Sequence, residues 1–112
     1  MSTLRASVSA RESGPVITLS GETDMSTVAE LDELLTGQLA DGAQQLTVDV
    51  AGLDFADTAS IRVLLLAART LRQRGGDLVL LRPQRTVVRV LEILGADEAI
   101  TIWEGTAPEP EP

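Results

Sequence analysis

The chain has no cysteine, no histidine and no lysine. Each absence closes off chemistry. Without Cys and His, most transition-metal sites lose their ligands. A disulfide framework cannot form, and Ser-His-Asp or Cys-His nucleophilic arrangements lack their usual base. Without Lys there is no phosphate-binding loop of the G-x-x-x-x-G-K type and no Schiff base. Tyrosine is missing too, and the aromatics are Phe55 and Trp103 alone, too few to stack bases. A net charge of −8 opposes nucleic-acid phosphates and favours basic partner surfaces. No apolar run nears the ~20 residues of a membrane span. Residues Met1–Arg5 lack the apolar stretch of a signal peptide. The expectation is a cytoplasmic chain that is not an enzyme, with no cofactor, no metal, no nucleic-acid partner and no membrane insertion.

What is present is a strongly aliphatic chain of 112 residues, 44% hydrophobic, enough for one core. Leu4 to Ala10 alternates apolar and polar with period two, an edge or half-exposed strand. Glu12-Ser13-Gly14-Pro15 is turn chemistry, and Val16–Ser20 makes a second strand, completing an antiparallel hairpin. Ser26–Glu30 opens a first helix, with Thr27 and Glu30 spaced as a capping box. Val28, Leu31, Leu34, Leu35 and Leu39 give its apolar stripe. Gln45 to Ala51 is strand-like, and Gly52 to Asp57 reads as a connection. A second helix runs from about Ala59 to Arg74, burying Ile61, Leu64, Leu65, Ala68 and Leu71. Asp77 to Leu81 is a continuously apolar strand. Pro83 fits the start of a third helix, whose Val87, Val88, Leu91 and Leu94 face inward. Ala99–Trp103 is a last strand, with Trp103 packed at its end. Residues 1–104 form one domain, and residues 105–112 a disordered acidic, Pro-rich tail. The order ββαβαβαβ implies an α/β fold with a mixed, mostly parallel sheet of about five strands.

In such sheets, sites form outside the carboxyl ends of the strands. Two ends carry polar groups here: Gly21-Glu22-Thr23-Asp24 and Asp54-Phe55-Ala56-Asp57-Thr58. Neighbouring strands would bring Asp24 and Asp57 near Thr58. Asp57 or Thr58 is the expected N-cap of the second helix. Thr58 at a helix start, beside acids, also reads as a phosphorylation target, because a phosphate there adds about −1.5 to −2 charge. Asp24, Asp57 and Asp49 are the conceivable Mg²⁺ ligands, with no Lys or His to complete phosphoryl chemistry. Arg62, Arg69 and Arg72 share one flank of the second helix, either a solvated face or a rim that steers a partner.

From Leu4 to Trp103 the chain resembles the STAS domain family, in particular its single-domain anti-sigma factor antagonists. Val16-Ile17-Thr18-Leu19-Ser20-Gly21-Glu22-Thr23-Asp24 is similar to the family's strand followed by Gly-Glu-x-Asp. Leu46-Thr47-Val48-Asp49-Val50-Ala51-Gly52-Leu53-Asp54-Phe55-Ala56-Asp57-Thr58 is similar to its central signature, an apolar strand, a Phe, then Asp-Ser or Asp-Thr. Val90-Leu91-Glu92-Ile93-Leu94-Gly95 resembles its third helix. The resemblance implies that Thr58 is the phosphoacceptor, flanked by Asp24 and Asp57. It implies an anti-sigma factor partner that is also a serine/threonine kinase of the GHKL type. The unphosphorylated form binds that kinase and frees a sigma factor, phosphorylation ends the binding, and a PP2C-type phosphatase resets it. Gly21, Thr23, Ala59, Ser60, Ile61 and Arg62 would form the docking surface. The family pattern continues with Gly where this chain has Ser60, which adds a side chain at the helix start and a second candidate hydroxyl. Other STAS domains serve, without phosphate transfer, as accessory subunits of lipid-transporting ABC complexes or as signalling scaffolds.

Overall fold

The computed structural model describes residues 3–104; the acidic tail expected at 105–112 lies outside them. Strand β1 (Leu4–Arg11) and strand β2 (Gly14–Thr23) pair antiparallel in an unbroken register from Leu4↔Gly21 to Arg11↔Gly14. Their turn is Glu12-Ser13 alone; Gly14 and Pro15, expected in the turn, already belong to β2. Helix α1 (Val28–Ala40) leads to strand β3 (Gln45–Ala56), helix α2 (Thr58–Gln73), strand β4 (Asp77–Leu81), helix α3 (Arg85–Leu94), a single 3-10 turn (Ala96–Glu98) and strand β5 (Thr101–Trp103).

The five strands lie in sequence order, with β2/β3, β3/β4 and β4/β5 parallel. Each parallel step goes the same way along the sheet. Right-handed crossovers therefore stack all three helices on one face. Alternation along the strands decides what that face buries. Ile17 and Leu19, Leu46, Val48 and Val50, and Leu78 and Leu80 join Leu31 and Leu35, Ile61, Leu64, Ala68 and Leu71, and Val87 and Leu91 in one core. Thr47, Asp49, Val79 and Leu81 alternate onto the opposite face, where Arg82 pairs with Asp49 at 2.9 Å.

Several boundaries differ from the sequence reading. β3 does not end at Ala51 but runs through Gly52 to Ala56. Its pairing with β2 slips between Thr18 and Ser20 and again between Gly21 and Glu22. These irregularities bend the pair without ending it. Gly52 sits so close to β2 that a Cβ there would lie 3.0 Å from Ser20 Cβ. Thr27 is the N-cap of α1, but no capping box forms, because its hydroxyl makes no cap bond and turns instead to Asp24 and Thr23. Pro83 lies before α3, whose N-cap is Gln84. The Gln84 amide donates to Ala51 O and Asp54 Oδ1, and Thr86 Oγ1 donates to Asp54 O, tying this helix start to β3. Ala99 and Ile100 precede β5 rather than joining it. Trp103 is 45% exposed rather than packed away.

Candidate functional site

β2 and β3 run parallel and finish together, with Thr23 opposite Ala56. The chain thus leaves both strands on one rim, and the Asp57 amide donates to Thr23 O at 3.1 Å. Beyond β2 the chain turns at once. Asp24 O accepts from the amides of Thr27 (3.0 Å) and Val28 (2.8 Å). Asp24 Oδ1 accepts from the Ser26 hydroxyl at 2.6 Å and the Ser26 amide at 2.9 Å. A carboxylate that accepts such bonds favours its charged form. The Ser26 hydroxyl first, then the Ser26 amide, with smaller help from Thr27, hold the Asp24 carboxyl below its ordinary value against slight desolvation. Beyond β3, Asp57 is extended (φ −83°, ψ 177°), and its Oδ1 accepts from the Ser60 amide at 2.9 Å. That is the N-cap geometry in which a side-chain oxygen satisfies an orphan helix donor. Thr58 follows as the first residue of α2, exposed, its hydroxyl without a hydrogen bond among the described residues.

Beneath this rim lies a buried hydroxyl cluster. Thr23 Oγ1 and Ser60 Oγ are 3.0 Å apart, and Thr27 Oγ1 donates to Thr23 Oγ1 at 3.4 Å. Thr27 Oγ1 also accepts from the Asp24 amide at 3.0 Å. Thr23 and Ser60 have no exposed surface, and Thr27 almost none. Buried hydroxyls need partners, and these supply one another. The cluster joins the end of β2, the start of α1 and the first turn of α2. The sequence held a signal for it. Ser60 falls four residues before Leu64 and eleven before Leu71, on the stripe that faces the core.

The residues named from sequence therefore separate into two layers. Thr58, Asp24, Asp57, Gly21, Ala59 and Arg62 reach the surface of the rim to differing extents. Thr23, Ser60 and Ile61 are fully buried and offer a partner no side-chain area. Gly21 has a backbone reason of its own: φ is +88°, and a Cβ would come within 2.1 Å of Thr3 O. Asp49 stands back within β3, bonded to Arg82, and the described residues contain no cluster of three acids fit for a metal ion. Two large apolar residues also belong to the surface: Met25, which the sequence reading passed over, and Phe55, which it placed in the strand-end segment without a surface role. Met25 is 82% exposed between the strand end and α1, and Phe55 is 44% exposed at the end of β3. Met25 is a large apolar side chain in an otherwise polar turn, and Phe55 one beside Asp54 and Asp57 at a strand end, which was the available signal.

The family model described as "Mlab, STAS domain" matches residues 6–102. The chain belongs to the STAS domain family. An anti-sigma-B factor antagonist of Staphylococcus aureus is 28% identical over 93 residues, covering 83% of this chain and 86% of that protein. Among solved structures, an anti-sigma factor antagonist from Mycobacterium paratuberculosis superposes with a TM-score of 0.80 at 19% identity, covering 92% of this chain and 87% of the other. The antagonist SpoIIAA, solved unphosphorylated and phosphorylated, gives TM-scores of 0.75 and 0.67 at 23% and 24% identity, covering 88% of this chain and 87% and 89% of the other. These likenesses establish the mixed five-stranded fold.

Proposed function

We propose that the protein is an anti-sigma factor antagonist whose partner binding is switched by phosphorylation of Thr58. The observation that carries this reading is the contrast between two hydroxyls in one helical turn. Thr58 is exposed with its hydroxyl unbonded among the described residues, whereas Ser60 is buried and engaged by Thr23. A kinase reaching this rim meets Thr58. In the transfer, the Thr58 oxygen attacks the γ-phosphorus of ATP, ADP departs, and the hydroxyl proton passes to a base of the kinase.

The phosphate then sits on the first residue of α2. The helix dipole favours it, so the helix start tolerates the modification. The neighbourhood does not suit it as an interface. Asp24 and Asp57 already place negative charge there, with Asp24 held ionised by Ser26. Met25 and Phe55 present apolar surface that a partner would cover. Burying a doubly charged group among them brings desolvation cost and like-charge repulsion. Phosphorylation on this reading ends binding without unfolding the domain. The names of the S. aureus and SpoIIAA relatives, and the existence of a phosphorylated form of SpoIIAA, support the same assignment.

The test uses a GHKL-type anti-sigma kinase with ATP, followed by site mapping. One phosphate on Thr58 is expected, unaffected by Ser60→Ala, abolished by Thr58→Ala and removed by a PP2C-type phosphatase. Thr58→Glu should weaken kinase binding at least ~100-fold, about 2.7 kcal/mol. An unphosphorylated Thr58, together with undiminished binding by Thr58→Glu, refutes the reading. The second reading is the one the STAS resemblance leaves open, an accessory subunit that docks an ATPase subunit through the same rim without phosphate transfer. Co-purification with an ATPase subunit and no phosphate on Thr58 selects it.

A further inference from the structure

We infer that β1 is a self-association edge, which pairs antiparallel with β1 of a second copy of this chain about a two-fold axis through Val8. The inference is independent of the role of Thr58. β1 is an outer strand of the sheet, and among the described residues β2 is the one strand paired with it. It is eight residues long, with no proline and no slip in register. Edge strands of this length commonly carry a bulge, a proline or a covering element, because their free amides and carbonyls template further pairing. Here the side chains between Arg5 and Arg11 are Ala, Ser and Val, small enough for a second backbone to approach.

The sequence of the edge selects a second copy as the occupant. Arg5-Ala6-Ser7-Val8-Ser9-Ala10-Arg11 reads the same in both directions. An antiparallel pair centred on Val8 therefore sets Val8 against Val8, Ser7 against Ser9 and Ala6 against Ala10. The faces match as well. Ala6 and Val8 lie opposite Leu19 and Ile17 of the core, whereas Ser7 and Ser9 lie opposite Thr18 and Val16. Pairing in this register continues the apolar side of one sheet into the apolar side of the other. A shift by one residue would turn the second molecule's apolar face over. Val8, 43% exposed in the monomer, is then covered by its own copy. The result is a ten-stranded sheet with all helices on one face. The two Thr58 rims point in opposite directions, both uncovered.

The one unfavourable pairing is Arg5 against Arg11 at each end, in copies that each carry a charge of −8. Both effects are screened by salt, so association should strengthen as salt rises. An acidic peptide bound at the same edge would weaken instead. An edge contact is small beside the ~800 Å² per partner of a standard interface, so the dimer is weak and concentration-dependent.

Sedimentation velocity on the full chain should show dimer growing with concentration and with salt. The native chain has no cysteine, so one introduced thiol is a clean probe. Directly opposed antiparallel residues have Cα atoms about 4.5–5.5 Å apart, within disulfide reach. Val8→Cys should cross-link under mild oxidation at least tenfold faster than Leu66→Cys, a control exposed on α2. Arg5→Glu makes both end pairs attractive and should tighten the dimer roughly tenfold, a gain that misfolding cannot mimic. A single monomeric species up to ~1 mM, equal cross-linking of the two cysteine variants, or loosening by Arg5→Glu overturns the inference.

Discussion

Replacing Ser60 by Ala should destabilise the domain by about 1 kcal/mol, and the size follows from what Thr23 keeps. The Ser60–Thr23 bond is 3.0 Å long between residues with no exposed surface. A buried neutral hydrogen bond is worth about 1 kcal/mol net, and a partner left unsatisfied costs about 1–3. Thr23 retains only the 3.4 Å contact from Thr27, which is long for a hydroxyl pair. That pushes the loss upward. Ala is the better helix former by a few tenths of a kcal/mol, which pulls it back. In a domain of this size 1 kcal/mol lowers Tm by about 4–8 °C. Ser60→Gly, which restores the residue common in the antagonists this chain resembles, should cost about 1 kcal/mol more through backbone freedom. Thr23→Val removes the same bond from the other side. Denaturant unfolding of both single variants and the double should show that Ser60→Ala costs much less when Thr23 is already Val, with a coupling of about 1 kcal/mol. Additivity within about 0.3 kcal/mol would mean that the two hydroxyls do not hold each other, and the buried cluster would lose its energetic meaning.

Four further outcomes follow from the rim and the sheet. Asp57→Ala removes the cap on the Ser60 amide and should cost about 1 kcal/mol in denaturant unfolding. Gly21→Ala forces a side chain into positive φ and against Thr3 O; it should lower Tm more than any rim substitution, by a loss of about 2 kcal/mol or more. The folded-state value of the Asp24 carboxyl is depressed, so its contribution to stability is full above the ordinary carboxylate range and fades as pH falls through the lowered value. NMR titration should place it under the ordinary value of 3.8, and Ser26→Ala, which deletes the largest cause, should move it back up. Arg82→Ala breaks a pair whose arginine is 43% exposed and should change stability by less than about 1 kcal/mol.

The order of elements was legible because the apolar spacing is regular, and residue type narrowed the cap of the second helix to Asp57 or Thr58, of which Asp57 is the cap. β3 was read short because Gly52 and Asp54 look like turn residues. Their reason lies across the sheet, in the close approach to Ser20 and the bonds from Gln84 and Thr86. The Thr27–Glu30 spacing suggested a capping box, yet the Thr27 hydroxyl had better partners in the Asp24 amide and Thr23. Pro83 resembled a helix start; the helix waits for Gln84, after Arg82 has taken a positive φ. The two layers of the rim were only half legible: the α2 stripe marked Ser60 as inward, but nothing in the sequence showed that Thr23 would meet it. Ser and Thr are common both at exposed helix starts and beneath them, and the approach of β2 to α2 sets the buried partner of Ser60.

The sheet's connectivity also governs how the chain acquires its shape. β1 and β2 can close as a local hairpin, but every later pairing joins parallel strands separated by a helix, and such non-local contacts form slowly. During synthesis, β3 emerges with one neighbour present and the other, β4, still unmade. For that interval the strand that carries Leu46, Val48 and Val50 has a bare edge, the state most prone to misassembly. Trp103 ends β5, the last strand in chain order, which pairs with β4. Its fluorescence is therefore a clock for that pairing, blind to the early hairpin.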